Sequence, residues 1–377
     1  MNRKDKIKQA IIRAFHIFPI QRRTIFCHNF YGNGYDENPK YIAEEIRKRK
    51  GYKVYWALSR PNANLPLPDG VERVIVGTPK YFYAIATSKI WISNVRLPLY
   101  FIKRKNQYYL QVWHGDLGMK KIEYDAVDKL SKTYLKQMEL DNSLIDFFAS
   151  GSKHFTNLIH HSFKYDGEIV KLGLPKYDPL INSDHETEKR KFKKKLSITE
   201  DNILLYMPTF RIDYSSDPFN IDLDKVKTAL EQKTHQTWKI VSKMHPNVPD
   251  EHKTIHSKNY LSIDKYNDIQ NAIVASDLLI SDYSSVSFDA MLANRPAFIY
   301  ANDEKIYTKN ERGLYFKLSD LPFPSFTTTD ELIKYIKSKP LSDTLKKYKA
   351  FIADQKVVIT GTSSKDITDF IIQKMQD

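Results

Sequence analysis

His114 and His245 each close an apolar run that reads as a β-strand, YYLQVW before the first and WKIVSKM before the second. Histidine exchanges protons near neutral pH, so residues so placed suit a base, an acid or a phosphate ligand. Gly115 follows His114, and its missing side chain lets a substrate approach the backbone. A third strand end, MPTFR at 207–211, presents Thr209 and Arg211, and the guanidinium suits a phosphate that is being transferred. A fourth, SDYSS at 281–285, runs from strand LLI into Asp282 and then into a helix opened by Ser284 and Ser285. Unpaired N–H groups at a helix start, with serine hydroxyls beside them, suit a diphosphate. Asp289 lies one turn on, on the same face, where it would reach a ribose hydroxyl. Each has a plainer reading alone: structural histidines, a surface salt bridge for Arg211, a serine-capped helix. Four segments at strand ends, WHGD (113–116) with Asp116 among them, imply one crevice lined from both halves of the chain.

Other chemistries find little support. No P-loop or GxGxxG pattern occurs. HExxH and paired cysteines are absent, so no metal site is expected. The DLD at 222–224 precedes a helical run and reads as a helix cap. The single cysteine, Cys27, reads as a buried strand residue in a reducing compartment. No cofactor is expected.

The elements that must position these residues alternate between strand and helix, the pattern of parallel sheets with crossover helices. Strands are predicted at 24–29, 54–58, 71–76, 90–94, 108–113 and 146–150, with a long helical region from after 113 to about 145. Asn38-Pro39 and Thr78-Pro79 read as helix starts. The second half repeats the rhythm: strands at 203–207, 239–244, 278–281 and 297–300, a helix at 284–293, and two or three helices after Thr329. The run DHETEKRKFKKK (184–195) reads as a linker or solvated helix face. These signals predict an α/β protein of two facing Rossmann-like domains. The boundaries are a basic amphipathic segment at 1–23, an N-terminal domain at 24–183 and a C-terminal domain at 184–377.

A net charge of +14 favours anionic partners. The basic residues are scattered among acids and no nucleic-acid motif appears, which argues against a nucleic-acid-binding scaffold. No apolar run is long enough to span a membrane. On a helix, Ile7, Ile11, Ala14, Phe15 and Phe18 share one face, with Arg3, Lys6, Lys8 and Arg13 beside or opposite it. Such a segment either lies in an anionic membrane surface or packs on the first domain.

The motifs, in order, resemble the CDP-glycerol glycerophosphotransferase family, which primes and polymerises teichoic acids. The resemblance rests on WHG (113–115), GLPKYD (173–178), PTFR (208–211), HP (245–246), SDYSSVSFD (281–289), RPAFIY (295–300), ERGLYF (311–316) and LP (321–322). It implies a glycosyltransferase B-type fold with closing helices, and a membrane-associating region. It also implies CDP-glycerol, or CDP-ribitol, as donor and an undecaprenyl-diphosphate-linked acceptor at the cytoplasmic membrane face. His114 is then the base and His245 a phosphate or leaving-group ligand, with Arg211, Ser284 and Ser285 on the diphosphate. The chain departs from the family at HGDLGMK (114–120), where HGTPLK is common, at Phe210 for a tryptophan, and at His28 for a serine.

The expected reaction is transfer of glycerol phosphate to a lipid-linked hydroxyl, with release of CMP. A nucleotide-sugar glycosyltransferase of the same fold is the alternative. The chain is short beside the family's long polymerases, which favours a primase or short-chain extender, with a capsule polymerase still open.

Overall fold

The structure, a computed structural model, describes residues 2–209, 211, 220–244, 255, 257 and 259–376. His245, Pro246 and Phe210 lie outside the described residues.

The chain divides into two compact units. Unit 1 comprises Met1–Asp116, Glu123–Asp178 and Val358–Asp377, and unit 2 comprises Leu117–Ile122 and Pro179–Val357. A cut near residue 183 therefore describes the division only in outline. A six-residue excursion after Asp116 belongs to unit 2, and the last twenty residues return to unit 1.

Unit 1 holds a seven-stranded sheet in the order β3-β2-β1-β4-β5-β6-β7. Its strands are β1 (Gln21–His28), β2 (Lys53–Leu58), β3 (Val71–Ile75), β4 (Ser88–Ser93), β5 (Tyr108–Gln111), β6 (Phe147–Ala149) and β7 (Glu168–Val170). Unit 2 holds a six-stranded sheet, β10-β9-β8-β11-β12-β13. These are β8 (Asn202–Met207), β9 (Trp238–Ser242), β10 (Tyr260–Ser262), β11 (Leu278–Ser281), β12 (Ala297–Tyr300) and β13 (Ser325–Phe326). All pairings between these strands are parallel. Buried parallel strands carry near-continuous apolar runs, as IFC in β1, KIWI in β4 and LLI in β11 do. In unit 2, Leu204, Ile240, Leu278, Ile280 and Phe298 pack against Val226, Leu230, Leu332 and Ile336 of two flanking helices.

Three local readings change, and one holds. The long helix expected before residue 145 is a short 3-10 segment, Glu123–Lys129, and a helix, Lys132–Leu144. The short strands β7, β10 and β13 were not predicted, because two or three residues carry no periodic signal. The charged run 184–195 forms the helix His185–Leu196, anchored by Phe192, which is 1% exposed and meets the Tyr266 ring at 5.3 Å. Asp222 caps its helix as expected, accepting from the Lys225 N–H at 3.0 Å.

The GLPKYD segment binds the returning C-terminus to unit 1. Gly173 has φ +84°, and a Cβ there would stand 2.2 Å from the Ser363 hydroxyl oxygen. Asp178 accepts from the N–H groups of Ser363 and Ser364 at 2.9 and 2.7 Å, where the helix Ser363–Gln376 begins. A carboxylate there satisfies donors the helix leaves unpaired and complements its dipole.

The amino-terminal helix Arg3–Ala14 packs against the helix Pro79–Thr87 of unit 1. Its buried residue is Ile12, which lay outside the expected apolar face. Phe15 and Phe18 meet the Tyr83 ring edge-on at 5.9 and 5.4 Å. Ile7, Ile17 and Phe18 remain 52%, 82% and 42% exposed. No helix among the described residues is long and apolar enough to cross a membrane.

Candidate functional site

In unit 1 the strand order reverses between β1 and β4, and ligands of open α/β sheets bind beyond the strand ends at such a point. His114 lies just past β5. Its Nδ1 is 2.7 Å from the carbonyl oxygen of Asn94, just past β4. A carbonyl only accepts, so Nδ1 carries a proton, and in the neutral ring Nε2 holds the basic lone pair. The imidazole stacks on Trp113 at 4.4 Å and meets Phe30 at 5.4 Å.

Trp113 has φ +44°, a left-handed conformation that bulky residues avoid. Asn38 supports the turn, donating to the carbonyls of Val112 and Trp113 at 3.1 and 2.9 Å. Its own oxygen accepts the Lys176 N–H at 3.0 Å, and the Lys176 ammonium reaches the His114 carbonyl at 3.3 Å. Asn38 therefore does not cap its helix. Asp36 occupies the cap position of Glu37–Arg47, with Asn38 inside the first turn. Asn94 is fixed in turn, donating to Asn29 Oδ1 at 2.7 Å and accepting from the Phe30 N–H at 3.0 Å.

Gly115 is half-buried. Asp116, expected on the substrate, is only 1% exposed and accepts from the Gly151 N–H at 2.9 Å. It ties the exit of β5 to that of β6. Burial raises its pKa from 3.8 to about 6, against the hydrogen bonds it accepts and the nearby Lys176 charge. The folded state thus favours the neutral acid: the penalty is absent below pH 4 and complete above about pH 6. Asp116→Asn should therefore stabilise the protein by roughly 2–3 kcal/mol at pH 8 and by almost nothing at pH 4. Thermal unfolding at the two pH values checks this; an equal gain at both would refute it.

His28 is 2% exposed at the end of β1, among the rings of Phe26, Tyr31 and Phe101. Burial pushes its pKa down to about 4, so it stays a neutral packing residue.

Unit 2 reverses strand order between β8 and β11, and Thr209, Arg211 and Asp282 meet at the exits of those strands. Asp282 accepts from the Thr209 N–H and hydroxyl, each at 2.9 Å. Arg211 Nε donates to Asp303 at 2.8 Å, and Nη2 donates to Asp282 at 2.9 Å and Asp303 at 3.1 Å. Nη1 donates to the Thr209 carbonyl at 3.0 Å and hydroxyl at 2.6 Å. A guanidinium has five N–H donors, and these contacts engage all five. Tyr283 and Tyr307 stack at 4.0 Å, with the guanidinium 5.1 and 4.6 Å from their ring centres. Burial opposes the Arg211 charge, but Asp282 and Asp303 outweigh it and raise its pKa.

Arg211 is thus the hub of a buried ion cluster, 3% exposed, with these donors engaged by the protein. Thr209 and Asp282 are committed with it. Asp289 is 5% exposed on the helix Val286–Leu292. Ser284 and Ser285 stay half-buried just beyond β11, and the Ser284 hydroxyl accepts from the Val286 N–H at 3.3 Å. Ser285 stands at the cap position without a side-chain cap bond. Sequence reading missed Asp303, Asn94 and the role of Asn38. Each is polar at or near a strand exit or helix start, but its partner lies 20–92 positions away. Lys176 lay inside a motif already noticed. Among the described residues, no group of three or more His, Cys, Asp or Glu side chains is arranged to hold a metal.

Comparison with known proteins agrees with this architecture. Two teichoic acid poly(glycerol phosphate) polymerases are 30% identical, those of Staphylococcus epidermidis over 95% of the chain and of Bacillus subtilis over 85%. The chain spans about half of these two relatives, 52% and 44% of their lengths. A solved structure of the wall teichoic acid polymerase TagF matches with TM-score 0.85 at 28% identity, over 98% of this chain and 94% of that one. The fold is accordingly α/β of the glycosyltransferase B type, with a parallel sheet in each unit. With the family model of CDP-glycerol:poly(glycerophosphate) glycerophosphotransferase matching residues 10–373, the chain belongs to that family.

Proposed function

We propose that the protein transfers glycerol phosphate from CDP-glycerol to a hydroxyl of a lipid-linked teichoic acid or capsule acceptor, releasing CMP. The observation that carries the reading is the fixed tautomer of His114: the Asn94 carbonyl holds the Nδ1 proton and leaves Nε2 basic. The acceptor hydroxyl gives its proton to Nε2, and its oxygen bonds to the phosphorus that bears glycerol. The bond from that phosphorus to the CMP oxygen breaks, and CMP leaves with the electron pair. His245 remains the proposed ligand for the leaving phosphate, and the Ser284 and Ser285 hydroxyls line the donor site. Positioning and preorganised charge supply most of the acceleration.

The reaction is placed at the cytoplasmic face of the membrane. The exposed Ile7, Ile17 and Phe18, among Arg3, Lys4, Lys6 and Arg13, form an amphipathic surface suited to anionic lipid. The chain reads in this proposal as an acceptor-binding amino-terminal part and a donor-binding carboxyl-terminal part.

One assay tests both statements. The purified chain is mixed with a lipid-linked disaccharide, or a preformed polyol-phosphate oligomer, in vesicles with or without anionic lipid. CDP-glycerol, CDP-ribitol or UDP-sugars are then supplied. CMP release from CDP-glycerol and co-sedimentation with anionic vesicles alone are expected. UDP release would instead support a glycosyltransferase, faster CMP release from CDP-ribitol would change the polyol, and equal binding to neutral vesicles would refute the lipid surface.

A further inference from the structure

With the donors of Arg211 committed, the donor diphosphate needs other cations. Two are present in unit 2, on segments that no expected role used. The excursion Leu117–Ile122 runs beside residues 313–315: Lys120 and Leu314 form an antiparallel bridge. The Lys121 N–H donates to the Gly313 carbonyl at 2.8 Å, and the Tyr315 N–H donates to the Met119 carbonyl at 2.7 Å. The Ile122 N–H donates to the Tyr315 hydroxyl at 3.2 Å. Leu117 and Met119 are buried, so the excursion is packed in place. A Cβ at Gly313 would lie 3.1 Å from the Lys121 Cδ, so a side chain there would crowd that lysine.

The arrangement brings Lys120 and Arg312 into one electrostatic neighbourhood with Asp282, Arg211 and Glu311. Both cations are half-buried. Among the described residues, neither makes a side-chain hydrogen bond or an ion pair. The carboxylates nearby act on them only through space: Asp282 is bonded to Thr209 and Arg211, and Glu311 is buried with a partner of its own. Burial pushes the Lys120 pKa down to about 8, with Asp282 opposing the fall and Arg312 and Arg211 adding to it. Two like charges held together and sheltered from water repel each other. A polyanion removes that cost and takes charge-assisted hydrogen bonds from both.

We propose that Lys120 and Arg312 form a two-cation clamp on the diphosphate of the nucleotide donor, at the exit of β11 where Asp282 leads to Ser284 and Ser285. The inference deepens the donor reading above and rests on it. It also assigns chemistry to the ERGLYF segment, whose Gly313 carbonyl pairs with the excursion and whose Arg312 supplies half of the clamp.

Isothermal titration of the full chain tests the clamp with four probes: CDP-glycerol, CMP, cytidine and inorganic pyrophosphate. Lys120→Met and Arg312→Gln should each weaken CDP-glycerol and pyrophosphate at least about tenfold, the scale of one charge-assisted bond. CMP should lose less and cytidine nothing, while Lys120→Arg should keep most of the affinity. Lys120→Gln and Arg312→Lys serve if the first variants do not fold. Variants that melt and bind diphosphates like the wild type would overturn the clamp. So would a wild type that binds neither diphosphate, or equal losses for cytidine and CDP-glycerol. Pyrophosphate binding that depends on both residues, without any binding of CDP-glycerol, would uphold the clamp and refute the donor reading.

Discussion

His114→Ala should lower turnover with CDP-glycerol and acceptor by roughly 10²–10⁴-fold, the usual range for a general base. The affinity for CDP-glycerol should stay within about threefold, because in the proposed reaction the ring acts on the acceptor hydroxyl. Steady-state CMP release gives the first quantity and titration with CDP-glycerol the second. The large effect is expected because the protein commits several groups to this one ring. The Asn94 carbonyl fixes the tautomer at 2.7 Å, Trp113 stacks on the imidazole, and Asn38 braces the strained turn from the helix Glu37–Arg47. Wild-type turnover in the alanine variant would sink the assignment. A loss of donor affinity with turnover preserved would move His114 to the donor phosphate.

The second large effect is on stability. Arg211→Met should destabilise unit 2 by about 3–5 kcal/mol, the cost of leaving buried partner charges without their counter-ion. Asp282 and Asp303 would then lose the guanidinium that bonds them both, and the Tyr283–Tyr307 stack would lose the charge beside it. The Tyr283 hydroxyl, which donates to Asp303 at 2.9 Å, would compensate only in part. Differential scanning calorimetry of the chain should show the transition of one unit falling and the other nearly unmoved, since the cluster lies within unit 2. A diphosphate ligand would behave in the opposite way. An Arg211→Met protein that melts like the wild type but binds CDP-glycerol weakly would assign Arg211 to the diphosphate.

Arg211 illustrates how far reading the chain reached. Its position after strand β8 was legible, because Ile203–Met207 is a short apolar run followed by proline. Its partners were not. Asp303 lies 92 positions away and follows a different strand, and only the β8-β11-β12 order brings the two together. Lys120 and Arg312 were hidden for the same reason: their segments are far apart in sequence, and a single bridge pairs them. The charged stretch at 184–195 showed the reverse difficulty. One buried phenylalanine among lysines is too weak a period to separate an anchored helix from a linker.

The order of residues by itself determined the layers of this protein. Runs such as IFC, KIWI and LLI make strands wherever they are buried on both faces, and the polar residue after each run stands at a strand's ligand end. That much places His114, Arg211 and Ser284 at strand exits. Tertiary structure decided what each does there. Hydrogen-bond donors are limited in number, and buried ones are satisfied by whatever the topology brings near. The Asn94 carbonyl thereby holds the Nδ1 proton of His114, the ring we propose as the base. Asp282 and Asp303 drew Arg211 into the framework, and the Gly313 backbone held the Lys120 segment beside Arg312.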